Sequence, residues 1–272
     1  MKTMKLGVFD SGLGGLLIAK AIKSRIPAID MIYLGDTLHV PYGNRSNEVI
    51  YDYCYKAVDF LFSQDCNLIV MACNTASAAA LRRLQQEYLP THYPERRILG
   101  VVVPTLEVAS EQQHRKVGLI ATNYIIESKI YESELKKINP KITLYSKATP
   151  LLVPMLENDG MQWVGPILRT YLHPLLEKKI DSIILGCTHY PLLKSIIRQE
   201  IGESVDILSQ DEIIPHKLED YLRRHPEISN PIGRSGLQEF YVTDVTDSYK
   251  RMAHFIYSKE IIIEKAAIWD LH

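Results

Sequence analysis

Short, unbroken apolar runs recur along this chain, most of them bounded by small or polar residues and separated by helix-period stretches. They are Leu6–Phe9, Met31–Leu34, Leu68–Ala72, Ile98–Val103, Val117–Ala121, Ser182–Leu185 and Val205–Leu208. A strand covered on both faces reads as a continuous apolar run, whereas a half-exposed strand alternates. Between the runs lie amphipathic stretches such as Glu48–Ser63, where Ile50, Tyr53, Cys54, Ala57, Phe60 and Leu61 share one helical face. Strands alternating with helices predict crossover units, hence an α/β fold of mainly parallel sheets flanked by helices.

At 272 residues the chain suffices for one large domain or two ordinary ones, and 46% hydrophobic residues supply a core. Soft breaks fall at Pro90–Arg97 and around Ser209–Pro215. A chain crossing out near 97 and back near 210 gives two lobes, 1–97 plus 210–272 and 98–209; one larger sheet fits the periodicity equally well. An internal echo favours two lobes. Leu68-Ile-Val-Met-Ala-Cys73-Asn74-Thr75 resembles Ser182-Ile-Ile-Leu-Gly-Cys187-Thr188-His189, each a buried strand ending in a small residue, a cysteine and hydrogen-bonding side chains.

Lys and Arg total 31 against 32 for Asp and Glu, so no global charge draws the chain to nucleic acid or anionic membranes. No apolar run approaches the roughly 18–20 residues that span a bilayer. The start, Met1-Lys2-Thr3-Met4-Lys5 followed by Leu6 to Phe9, is too short and too soon interrupted for a secretory signal. A cytosolic location is therefore expected, where thiols stay reduced. The four cysteines, at 54, 66, 73 and 187, form no C-x-x-C pair and fit neither a zinc site nor a disulfide framework.

In open α/β sheets, ligands bind beyond the carboxyl ends of the strands. Four segments fall there: Asp10-Ser11-Gly12-Leu13-Gly14-Gly15, Pro41-Tyr42-Gly43, Cys73-Asn74-Thr75 and Gly186-Cys187-Thr188-His189-Tyr190-Pro191. The glycine-rich turn fails the dinucleotide pattern because position 17 is Leu, and no phosphate-loop lysine follows. It reads as a tight strand-to-helix turn, either without a ligand or with backbone N–H groups open to a small anion. A single cysteine closing a buried strand is usually a small core residue. Cys73 and Cys187, however, share matching contexts just before the expected helices Ala76–Leu84 and Leu192–Arg198, whose positive ends favour thiolate over thiol. Cys54 and Cys66 read as packing. His189 makes a Cys-His hydrolase pair conceivable, and Glu157 could be a plain helix carboxylate.

The four segments resemble the cofactor-independent glutamate racemases of the aspartate/glutamate racemase superfamily. Asp-Ser-Gly-x-Gly-Gly at 10–15, Val-Pro-Tyr-Gly at 40–43, Cys-Asn-Thr-Ala-Ser at 73–77 and Gly-Cys-Thr-His-Tyr-Pro at 186–191 look like family motifs, in family order. The resemblance implies two pseudo-symmetric α/β lobes with the active site in the cleft between them. It implies acid/base roles for Cys73 and Cys187, and substrate contacts from Asp10, Ser11, Tyr42, Gly43, Asn74, Thr75, Thr122, Thr188 and His189. Glu157 matches a family glutamate that assists the second cysteine. No cofactor is implied, the expected partner is a small amino acid, and a homodimer is expected because relatives are often dimeric. Where the family commonly shows Ala-Thr-x-Gly-Thr, this chain has Ala121-Thr122-Asn123-Tyr124-Ile125. Tyr124 and Ile125 thus bear on the preference for glutamate over aspartate.

The chemistry of the residues agrees. Inverting an α-carbon requires a proton to leave one face and another to arrive on the opposite face, which two acid/base groups achieve without turning the substrate. Cys73 is expected to take the proton from the D-isomer while Cys187 donates, with roles reversed for the L-isomer. Asp10 is expected to support Cys73, and His189 with Glu157 to support Cys187. The implied role is supply of D-glutamate for peptidoglycan. Three alternatives stay open: an aspartate racemase or other superfamily isomerase, a non-enzymatic amino-acid binding module, and the Cys-His hydrolase. The binding module leaves the paired cysteines unexplained.

Overall fold

A computed structural model describes residues 3–158 and 160–269, so Met1 and Lys2 of the opening segment lie outside the described residues. The described strands are β1 (Lys5–Asp10), β2 (Met31–Gly35), β3 (Cys66–Met71), β4 (Arg97–Gly100), β5 (Lys116–Ala121), β6 (Thr143–Ala148), β7 (Ser182–Gly186), β8 (Asp206–Leu208), β9 (Gln238–Val242) and β10 (Glu264–Lys265). They form two sheets, and every strand pair in them is parallel. The chain divides into two compact units, Met1–Val101 with Ile214–His272, and Val102–Ile213.

The first unit holds a six-stranded sheet in the order β10-β9-β2-β1-β3-β4. Leu6, Val8 and Phe9 of β1 and Leu68, Ile69 and Met71 of β3 are buried on both faces, which is why these strands read as continuous runs. The helix Asn47–Ser63 packs on this sheet through Ile50, Cys54, Ala57, Val58, Leu61 and Phe62. Their spacing makes one apolar stripe, and full burial of a side chain such as Leu61 or Phe62 contributes roughly 1.5–3 kcal/mol.

The second unit holds a four-stranded sheet in the order β6-β5-β7-β8. Its order repeats the β2-β1-β3-β4 core of the first unit, strand for strand in chain sequence. β1 corresponds to β5 and β3 to β7, so the segment after β3 and the segment after β7 are topological equivalents. In each unit the chain runs outward in opposite directions from the central pair. The crevices beyond β1/β3 and β5/β7 are therefore the switch points at which open α/β sheets bind ligands.

The structure differs from the sequence reading in several elements. The apolar run Ile98–Val103 is not one strand: β4 stops at Gly100, and Val102 opens the helix Val102–Glu111, which buries Val102, Thr105, Leu106 and Ala109. A short apolar run cannot by itself separate a strand from a buried helical turn. No helix starts at Leu192; a 3-10 turn, Tyr190–Leu193, precedes the helix Lys194–Ile201. The break around Ser209–Pro215 is spanned by the helix Gln210–Arg224, with Pro215 inside it. Among the described residues no helix is long and apolar enough to cross a membrane.

Candidate active site

In the first unit the parallel register puts the ends of β1 and β3 side by side, Phe9 opposite Met71, with Ala72 N–H donating to Phe9 O at 2.7 Å. Asp10-Ser11 and Cys73 therefore leave the sheet as neighbours. Ser11 Oγ lies 3.2 Å from Cys73 Sγ. Cys73 is the N-cap of the helix Asn74–Arg83, and its sulfur accepts from Ala76 N–H at 3.4 Å. A helix N-terminus and an N–H aimed at sulfur accommodate negative charge there. Asn74 and Thr75 fill the first turn of that helix and are buried.

Asp10 is fully buried and accepts from Gly12 N–H at 3.1 Å. The turn behind it is tight. A Cβ on Gly15 would lie 2.5 Å from Asp10 Cβ, and one on Gly35 would lie 2.3 Å from Gly12 O. The glycines thus permit close backbone approach, and Tyr33 uses it: its hydroxyl, buried in the sheet, donates to Gly12 O at 2.7 Å. Burial, and then the charges of Asp10 and Cys73, hold the Tyr33 phenol well above its ordinary range, so it remains a neutral donor.

Tyr42 and Gly43 lie in a 3-10 turn, Tyr42–Asn44. The Tyr42 hydroxyl is not free, because it donates to buried Asp36 at 2.7 Å. Asp36, at the end of β2, also accepts from Thr243 Oγ1 at 2.7 Å and lies 2.9 Å from His39 Nδ1. It anchors the Tyr42 turn to the ends of β2 and β9. Cys54 and Cys66 are fully buried; burial chiefly pushes both thiols up, so they act as packing groups.

In the second unit Ala121 pairs with Gly186 in register, so Thr122 and Cys187 follow adjacent strand ends. Thr122 caps the short helix Asn123–Ser128, accepting from Ile125 N–H at 3.4 Å. Ile125 is fully buried, so at this position the chain uses an apolar core side chain, and Thr122 supplies the hydroxyl of the loop. Cys187, unlike Cys73, is not a helix N-cap. The expectation of a helix directly behind it is corrected by the intervening 3-10 turn, and its charge environment comes from a side chain instead.

That side chain is His189. Its Nδ1 lies 3.9 Å from Cys187 Sγ, and its Nε2 lies 3.0 Å from Glu157 Oε1. The Nε2–Glu157 contact is at ion-pair distance, although the N–H is not aimed along a hydrogen-bond line. Burial acts to lower the imidazole pKa. The contact with Cys187 and the charges of Cys187 and Glu157 outweigh it, holding His189 well above its usual value. Glu157, the last residue of the helix Leu152–Glu157, keeps 31% of its side chain exposed. Thr188 is buried beside them.

Further buried polar side chains surround the two strand ends: Tyr33 and Asp36 in the first unit, and in the second Tyr131, whose hydroxyl accepts from Gln210 Nε2 at 3.2 Å, and Tyr190, 2.6 Å from Thr149 Oγ1. Tyr33, Tyr131 and Tyr190 are fully buried and held well above the usual phenol range, by burial first; among the further causes, the charge of a site cysteine acts on each. The motif Gly-Cys-Thr-His-Tyr-Pro contained Tyr190, but no local pattern could reveal its hydroxyl's partner. Among the described residues no group of three or more His, Cys, Asp or Glu side chains could hold a metal ion.

The family pattern of Asp/Glu/Hydantoin racemases matches residues 17–210. A glutamate racemase of Roseobacter denitrificans is 39% identical over 236 residues, covering 82% of this chain and 87% of that protein. The crystal structure of glutamate racemase isoform RacE1 from Bacillus anthracis superposes with a TM-score of 0.89 at 32% identity, covering 98% of both chains. A glutamate racemase from Francisella tularensis, crystallised in complex with D-glutamate, gives 0.87 at 29% identity over 99% of this chain and all of that one.

Proposed function

This chain belongs to the Asp/Glu/Hydantoin racemase family, and from that premise we propose that it interconverts L- and D-glutamate by two-cysteine acid/base catalysis. The observation that carries the mechanism is the equivalence of Cys73 and Cys187. Each leaves the carboxyl end of a corresponding strand, β3 or β7, at the switch point of its own sheet. Each has its own polar support, Ser11 for the first and His189 for the second.

In the L-to-D direction, Cys187 thiolate takes the α-hydrogen as a proton and the electron pair stays on the α-carbon. The Cys73 thiol then delivers its proton to the opposite face, leaving a thiolate. The D-to-L direction runs the same steps in reverse. His189, whose Nδ1 lies 3.9 Å from Cys187 Sγ, is placed to stabilise a thiolate there. At Cys73 that task falls to the helix N-terminus and Ala76 N–H, with Asp10 holding the Gly12 turn. Because the α-proton is very weakly acidic, the carbanion-like state requires preorganised donors. Asn74, Thr75, Thr122, Thr188 and backbone N–H groups are assigned to the carboxylates. Glutamate itself follows from the names of the relatives. With it comes a role in the reducing cytosol supplying D-glutamate for peptidoglycan.

The test is a panel of D- and L-glutamate and D- and L-aspartate with reduced, metal-stripped enzyme, followed by loss of circular dichroism. Glutamate should racemise from either enantiomer to the same end point, and faster than aspartate. Loss of signal with aspartate alone would move the assignment to a sister activity. No loss with any of the four would refute it.

A further inference from the structure

Thr149 occupies a junction that the proposed mechanism leaves unused. It is buried, directly after β6, and its backbone N–H and side-chain Oγ1 both donate to Ala121 O, at 2.9 and 3.1 Å. Ala121 immediately precedes Thr122. The same Oγ1 lies 2.6 Å from the hydroxyl of Tyr190, which is also fully buried. The Tyr190 hydroxyl also donates to the backbone carbonyl Thr149 O at 3.3 Å, so two polar atoms of Thr149 lie within its reach. Tyr190 is thereby tied to Thr149, and Thr149 through Oγ1 to Ala121.

Two backbone contacts extend this chain to the reacting groups. Tyr190 N–H donates to Cys187 O at 3.1 Å, fixing the turn that carries the thiol and His189. Thr149 O accepts from Leu152 N–H at 3.2 Å, at the start of the helix whose last residue is Glu157. One buried threonine thus joins the segments bearing Thr122, Cys187–His189 and Glu157. None of these segments is adjacent in sequence to another.

We propose that Thr149 and Tyr190 are positioning residues for the Cys187 half of the reaction: their shared hydrogen bond sets the thiol turn against the Thr122 loop and the Glu157 helix. The inference rests on the two-cysteine reading given above. Neither side chain acts on the substrate. Their effect is to hold Cys187 at the distance and angle proton transfer needs, and misplacement on the scale of an ångström costs on the order of a hundredfold in rate.

A simple rate measurement cannot test this, because the two enantiomers have equal free energy and kcat/KM must fall equally in both directions. Exchange of the α-hydrogen in deuterium oxide can. From the D-isomer, Cys73 removes the proton, trades it with solvent and returns a deuteron to the same face without needing Cys187. From the L-isomer, exchange needs Cys187. The experiment compares initial exchange from each enantiomer by proton NMR in the parent, Tyr190→Phe, Thr149→Val, Thr149→Ser and Cys187→Ser, with Tm measured for each.

Tyr190→Phe and Thr149→Val should lose about tenfold or more of L-isomer exchange and of racemisation, while D-isomer exchange stays within about twofold of the parent. Thr149→Ser, which keeps the hydroxyl, should recover most of the loss. A merely structural role lowers both exchange rates in proportion to folded enzyme; an unchanged ratio in both Tyr190→Phe and Thr149→Val overturns the inference. Cys187→Ser separates the two levels of the argument. If it shows the asymmetry and the Tyr190 and Thr149 variants do not, only the positioning role fails. If Cys187→Ser keeps parental L-isomer exchange, the two-cysteine reading fails and the inference falls with it.

Discussion

Ser11 Oγ and Cys73 Sγ lie 3.2 Å apart at the adjacent ends of β1 and β3. A hydroxyl at that distance can donate to a thiolate or accept from a thiol, so it can follow the sulfur through both protonation states. A hydrogen bond to a charged group contributes about 1.5–3 kcal/mol. Ser11→Ala should therefore lower kcat by about tenfold or more, with a smaller change in KM, measured by steady-state circular dichroism in both directions.

His189 links stability to pH with a definite sign. Its folded-state pKa is raised above the ordinary 6.5, so its contribution is fully present below about that value and is lost as pH rises through the folded value. Thermal unfolding scans should show Tm declining on the alkaline side in the parent. His189→Gln should flatten that decline, and Glu157→Gln, which removes one of the charges sustaining the cation, should move it to lower pH. The alkaline limb of kcat/KM should move down in Glu157→Gln as well.

Gly15 sets the space for Asp10. A methyl group there would lie 2.5 Å from Asp10 Cβ and 2.9 Å from its Cγ, so Asp10 must move. Gly15→Ala should destabilise by about 1–3 kcal/mol through overpacking. It should also cut activity beyond what the loss of folded protein explains, measured as kcat per folded molecule.

Ile125 and Thr122 divide the work at the end of β5. Because Ile125 is fully buried, Ile125→Thr places a hydroxyl in packing and should cost about 1–3 kcal/mol of stability, leaving the ratio of glutamate to aspartate turnover nearly unchanged. Thr122→Val removes the cap on Ile125 N–H and the loop hydroxyl together. It should cost about 1 kcal/mol of stability and raise KM. Denaturant unfolding and a two-substrate kinetic comparison check both.

The strands that bear the cysteines were legible because both faces of β3 and β7 are buried, which writes them into the sequence as continuous apolar runs. β6, at a sheet edge and only half-buried over most of its length, left no such run and was missed. β9, with Phe240 and Val242 buried and partly exposed residues between, carries a weaker alternating signal inside a polar stretch. At the site, Cys73 and Cys187 stood out because the same strand-then-cysteine context occurs twice, and His189 because it follows Cys187 in the motif Gly-Cys-Thr-His-Tyr-Pro. Thr149 did not, since a threonine before a proline is ordinary until its partner Tyr190, 41 residues away, is known. The Tyr42 hydroxyl was similarly opaque: only the fold shows that Asp36 takes it.

The central claim is that two thiols divide the work by enantiomer, and deuterium exchange into glutamate by the two single cysteine variants tests it most directly. Cys73→Ser should nearly abolish α-hydrogen exchange from D-glutamate while exchange from L-glutamate persists, and Cys187→Ser should show the opposite, with racemisation close to lost in both. Parental exchange from both enantiomers in either variant, or parental racemisation in both, would contradict it.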